Sequence, residues 1–173
     1  MEYLILVYEK DSEIGMMEKM EVHRKGLLHR AFSIFIFNGK GELLLQQRAL
    51  SKYHSGGLWA NACCSHPKVG EEILSAANRR LKEEMGFETT LLKAFDFTYH
   101  STFENGLTEY EFDHVYTGIY DGTFIPNKNE VMNFSFKPIG AIENLIKKNP
   151  ENFASWFIIA FPKLKQWLEN NWL

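Results

Sequence analysis

The chain has 173 residues, 45% of them hydrophobic and 24% charged, an ordinary balance for one folded domain with a real core. Its formal net charge of −3 gives nucleic acid or an anionic membrane no electrostatic reason to bind, so an anionic ligand must meet a local basic cluster. No stretch approaches the ~20 apolar residues that span a bilayer.

From the N-terminus, residues 3–8 (YLILVY) are too short for a signal-peptide core and lack a basic flank, so they read as a strand. His23 and His29 are six apart, a spacing that does not align on one helix, where four or seven would. To meet, they must converge from a loop and a strand start; taken singly, each reads as a surface or helix-end histidine. Residues 31–37 (AFSIFIF), the turn residues Asn38-Gly39-Lys40-Gly41 and residues 42–48 (ELLLQQR) give a hairpin signal. Residues 58–65 read as a short strand. Alternation along it puts residues 60, 62, 64 and 66 on one face and 59, 61 and 63 on the other. Cys64 then lies beside His66 and Cys63 points away, as a small buried hydrophobe does. A cation or metal lowers a thiol's pKa, but a bare Cys-x-His leaves the structural and the reactive readings equally open. The two cysteines are too close for an unstrained disulfide, and reduced thiols imply a reducing compartment, most simply the cytoplasm.

Residues 71–85 are the clearest helix: Leu74, Ala77, Leu81 and Met85 repeat at three and four, and Gly86 stands at the C-terminal cap. Two long strands, 91–103 and 107–120, flank Glu104-Asn105-Gly106. Glu109 and Glu111 share a face of the second strand, where like charges repel unless a cation or a shared proton relieves them; a solvated sheet face is the alternative. Helices are expected at 140–148 and 154–170, separated by Pro150. His54, His100 and His114 read as structural. With neither repeat nor linker, residues 1–173 form a single domain of the α/β (α+β) class, a mixed sheet sandwiched between helices rather than a doubly wound one.

Ser65-x5-Glu71-x7-Arg79-Arg80-Leu81-Lys82-Glu83-Glu84-Met85-Gly86-Phe87 matches most of the Nudix box, Gly-x5-Glu-x7-Arg-Glu-U-x-Glu-Glu-x-Gly-U with U apolar. Ser65 replaces the glycine, and Arg80 replaces the first glutamate. A salt-bridged helix surface is the other reading of this charge run. Upstream stand Trp59-x-Asn61-x2-Cys64-x-His66-Pro67, His29-Arg30-Ala31-Phe32 and Arg48-Ala49-Leu50-Ser51-Lys52; downstream stand Glu109-x-Glu111 and Phe153-Ala154-Ser155-Trp156. In joint order and spacing these motifs resemble the type 1 isopentenyl-diphosphate isomerases of the Nudix superfamily over nearly the whole chain.

That resemblance implies a divalent metal (Zn²⁺, Mn²⁺ or Mg²⁺) on His23, His29, His66, Glu109 and Glu111. It implies a Mg²⁺ shared by Glu84, the main-chain carbonyl at Cys64 and a small-molecule diphosphate substrate. Lys19, Arg48, Lys52 and Arg79 or Arg80 match the basic groups around the diphosphate. Cys64 and Glu111 match the pair that delivers and removes protons, Trp156 the ring that faces a cationic intermediate, and Tyr99 a tyrosine that hydrogen-bonds the glutamate. The last role sets a register: a three-residue loop with left-handed Gly106 puts Tyr99 opposite Glu111, whereas a two-residue turn puts His100 there. Neither nucleic acid nor membrane is implied as partner, and a monomer or weak dimer is expected. A Nudix pyrophosphohydrolase and a non-catalytic zinc-stabilised module are the alternatives.

Overall fold

The computed structural model describes residues 2–171. In chain order the elements are β1 (Tyr3–Val7), β2 (Glu13–Glu18), α1 (Lys19–Lys25), β3 (His29–Phe37), β4 (Leu43–Arg48), β5 (Trp59–Asn61) and β6 (Cys63–Ser65). They continue with α2 (Ile73–Met85), β7 (Leu92–Thr102), β8 (Thr108–Ile119), β9 (Val131–Lys137), α3 (Ile139–Lys148), a 3-10 turn (Pro150–Asn152) and α4 (Ser155–Asn171). The short β2 and α1 and the late β9 were not expected. β2 and α1 are too short to carry a sustained period; β9 does alternate, Met132, Phe134 and Phe136 against Asn133, Ser135 and Lys137, and that signal was passed over.

β3 organises the rest. A strand buried on both faces needs a continuous apolar run, and this one sends Phe35 and Phe37 into a core shared with α3 and α4. Phe32, Ile34 and Ile36 enter a second core, against α2. The mixed sheet therefore lies between helices, as expected. β3 runs parallel to β8, pairing His29 with Glu111 at one end and Phe37 with Ile119 at the other. Its remaining partners, β1, β4 and β6, are antiparallel.

The expected hairpin of β3 and β4 exists only at its tip. Phe37↔Leu43 is its one ladder pair, closed by Asn38 N–H donating to the Glu42 carbonyl at 3.0 Å. Beyond it the strands splay, β4 turning to β5 and β9 while β3 takes β6 and β8. The stretch 58–65 answers this split by breaking in two. Asn61, fully buried, donates its side-chain amide to the carbonyls of Ile34 and Cys63 at 3.1 and 3.0 Å, and alternation fails beside it. Ala60 packs with the α4 core, but Ala62 joins Cys63 in the α2 core. The expected common face of 60, 62 and 64 is thus wrong at Ala62, although Cys64 still reaches the α4 side and Cys63 does not.

The β7–β8 hairpin has the expected loop. Phe103 N–H donates to the Leu107 carbonyl at 2.8 Å, Gly106 is left-handed at φ +80°, and Tyr99 pairs with Glu111. In α2 the side chain of Glu72 caps the N-terminus by accepting from Leu74 N and Ser75 N, and Gly86 ends the helix at φ +81°.

Candidate active site and metal centre

Four separate segments bring histidines and carboxylates to one place. His23 stands in α1, a helix rather than the expected loop, and left-handed Gly26 turns the chain directly into β3. There His29 is the first residue, the expected strand start. His66 follows β6, and Glu109 and Glu111 lie on β8. His23 Nδ1 lies 2.7 Å from the Lys19 carbonyl and His29 Nδ1 lies 2.8 Å from the Leu27 carbonyl. These contacts fix both rings with Nε2 turned inward. Both Nε2 atoms are buried and make no hydrogen bond, a costly state for a polar atom without a ligand.

The inward atoms converge. Ring centroids of His29 lie 5.1 Å from those of His23 and of His66. Glu111 Oε1 lies 3.0 Å from His66 Nε2 and 3.4 Å from His29 Nε2. Donor atoms of His23, His29, His66 and Glu111 all fall within 4.8 Å of one another. Glu109 belongs to an overlapping group with His23 and His54, drawn together to the same limit. Charge states suit a cation. Burial lowers the His23 pKa to about 4, its bond to Lys19 only partly opposing the shift, and burial also lowers that of His66. Burial pushes the Glu111 carboxyl up, but the adjacent His29 and His66 rings outweigh it and hold it well below the usual carboxylate range. A divalent ion binds imidazoles and carboxylates in their deprotonated forms, and the orphaned Nε2 atoms point to where it would sit.

One pocket adjoins this cluster and is lined by all four residues expected to do chemistry, Cys64, Tyr99, Glu111 and Trp156. The Tyr99 hydroxyl donates toward Glu109 Oε2 at 2.9 Å and Glu111 Oε2 at 2.7 Å. Cys64 Sγ donates to Asn61 Oδ1 at 3.1 Å and touches Ser33 Oγ at 3.3 Å; Ser33 in turn donates to buried Asp113 at 2.6 Å. Burial, reinforced by the Asp113 charge, pushes the Cys64 thiol well up. The lowering expected from a neighbouring cation is not found, because burial and the Asp113 charge both penalise the thiolate. Trp156 is 3% exposed, and the Arg48 guanidinium lies 4.9 Å from its ring centroid.

Lys19, Arg48, Lys52 and Arg80 line the other part of the same pocket, and Arg79 does not. Arg79 instead binds Glu71 through two bonds of 2.7 and 2.8 Å and reaches Glu83, tying the turn before α2 to the helix. The two departures from the Nudix box meet: Arg80 Nε donates to Ser65 Oγ at 3.1 Å. Arg80 also donates to Glu84 at 2.6 Å, and Glu84 accepts from Gln46 at 3.2 Å. Glu84 lines the pocket but lies outside the histidine cluster. Glu130 pairs with both Lys52 and Arg80. Neither Glu130 nor His54 carries a sequence signal; each is an ordinary polar residue of a loop until the fold brings it in.

A family model for the NUDIX domain matches residues 27–157, and the chain belongs to that family. A Serratia proteamaculans protein named isopentenyl-diphosphate Delta-isomerase is 51% identical over 163 residues, covering 94% of this chain and 91% of its own. A Photorhabdus laumondii protein named isopentenyl-diphosphate Delta-isomerase 2 is 46% identical, covering 96% and 97%. Among solved structures, DR0079 from Deinococcus radiodurans aligns with a TM-score of 0.72 at 23% identity, over 85% of this chain and 90% of that one. A MutT protein from Methanosarcina mazei aligns at 0.68 and 18%, over 83% and 96%. At those identities the structures speak for the fold alone.

Proposed function

We propose that this chain isomerises isopentenyl diphosphate to dimethylallyl diphosphate. The observation that carries the reading is the single pocket lined at once by Cys64, Tyr99, Glu111 and Trp156 and by Lys19, Arg48, Lys52 and Arg80, in a chain about half identical to proteins named for that activity. The basic residues hold the diphosphate, which undergoes no bond change. Cys64 and Glu111 exchange protons with the five-carbon chain from its two sides: one is delivered to C4, leaving a tertiary cation at C3, and one leaves C2, so the double bond moves and no electron is gained or lost. Tyr99 orients Glu111 through its hydroxyl, and the Trp156 ring faces the cation.

His23, His29, His66, Glu109 and Glu111 would hold a divalent cation, whose charge would fix the two carboxylates in place. Glu84 would meet a Mg²⁺ carried with the diphosphate. Replacement of the box glutamate by Arg80 exchanges a metal ligand for a phosphate donor, which suits binding without hydrolysis. All of these residues come from one chain, in keeping with a monomer or weak dimer, and both free cysteines suit the cytoplasm.

The test is incubation of purified protein and Mg²⁺ or Mn²⁺ with isopentenyl diphosphate in deuterated water. Deuterium is expected in the C4-derived methyl group of dimethylallyl diphosphate. Release of phosphate or pyrophosphate without isomer would show a hydrolase instead.

A further inference from the structure

Outside the five residues assigned above, one buried histidine remains without a role. We propose that His54 is a fourth histidine of the metal centre, binding the ion through Nε2 next to Glu109. The inference rests on the metal-centre reading and extends it by one ligand.

His54 is 6% exposed, and its Nε2 is buried without a hydrogen bond. That atom nonetheless lies 2.7 Å from Glu109 Oε1. The pair makes no hydrogen bond of the kind that His66 makes with Glu111. Two atoms bound to one ion explain the approach. Ligands at about 2.1 Å and at right angles stand about 3 Å apart, close to the spacings of His54 from Glu109 and of His66 from Glu111, 2.7 and 3.0 Å. The three inward Nε2 atoms that find no hydrogen bond belong to His23, His29 and His54, and His23 joins both groups of converging donors. His54 thus shares the feature that marks His23 and His29 as ligands.

The ring is held there at a conformational cost. Ser55, immediately after it, sits at φ +53°, which non-glycine residues occupy only where the surroundings impose it. A Cβ on Gly56 would lie 2.7 Å from the Leu50 carbonyl oxygen, so the loop closes tightly upon itself. Phe103 stacks on the His54 ring at 4.5 Å and 8°, Tyr53 meets it edge-on at 4.3 Å, and Asn105 donates to the Tyr53 carbonyl at 3.1 Å. The tip of the β7–β8 hairpin therefore clamps the loop that delivers His54, and the same hairpin carries both carboxylates.

Counting imidazoles tests the assignment. In protein loaded with Co²⁺, each bound histidine gives one exchangeable, strongly shifted N–H signal in the proton NMR spectrum, lost in deuterated water. Four are expected in the native protein and three in His54→Gln, with Co²⁺ affinity about 10–100-fold weaker by chelator competition. Thermal unfolding of the metal-free forms shows whether the substitution alone disturbs folding; if it does, the native count decides by itself. Three signals in the native protein would overturn the role of His54 while sparing the other ligands. Failure to bind Co²⁺ at all would overturn the whole centre.

Discussion

Cys63 and Cys64 are adjacent, yet one is packing and the other lines the pocket. Cys63 is fully buried against α2, and truncation there removes only a small sulfur from a core. Cys63→Ala is expected to cost about 1 kcal/mol of stability and to leave turnover nearly intact. Cys64→Ala removes the thiol proposed to handle a proton, so kcat is expected to fall by about three orders of magnitude at little cost in stability. Measured kcat and urea midpoints for the pair decide it; equal kcat losses would mean the wrong thiol has been chosen. At this scale the site was largely legible, because order and spacing of short motifs survive in a linear string. Arg79 and Arg80 were not separable, since helix neighbours point about 100° apart and only packing says which points in. His54 was invisible for a different reason. A single histidine beside a lysine and a tyrosine has no partner in sequence, and its meaning comes from Glu109, which arrives on another strand.

Among the elements, glycine turns show why equal sequence signals carry unequal weight. Gly86 and Gly106 both occupy left-handed backbone, and both were legible as turn or cap residues. Their surroundings differ. A Cβ on Gly106 meets nothing within 4 Å, whereas one on Gly86 would lie 2.4 Å from the Ile125 carbonyl oxygen. Gly106→Ala is expected to cost about 1 kcal/mol from backbone conformation alone, with the Tyr99–Glu111 register kept. Gly86→Ala adds a backbone collision and is expected to cost at least about twice as much. Chemical denaturation of the two variants tests this, and a milder effect at Gly86 would contradict it. What the sequence concealed was local in another way: β2 is an exposed strand with too little apolar alternation to announce itself, whereas β9 alternates at Met132, Phe134 and Phe136 and was legible. The break at Ala62 was hidden because it is forced by the divergence of β3 and β4, a fact about pairing rather than propensity.

Across the whole molecule, the proposed metal ligands tie α1, β3, the segment after β6, and β8 into one cluster. An ion held by the folded state alone stabilises it by mass action, about 4 kcal/mol when free metal stands at 1,000 times its dissociation constant. For a chain of this size that is about 10 °C in Tm. Chelation is therefore expected to lower Tm by that order and re-addition to restore it; a Tm indifferent to chelator would count against a bound ion.

The parallel pairing of β3 with β8 also bears on synthesis. His29 and Glu111 are ladder neighbours, yet roughly eighty residues separate these strands in sequence. Closing so long a loop is entropically slow, and parallel partners cannot be joined by a local turn. A ribosome that has released β3 has delivered the first two histidines, but the strand that completes their cage is still being translated. Until β8 emerges, β3 is an apolar strand lacking its longest partner. The order of the chain thus keeps the histidine cluster open until β8 has emerged.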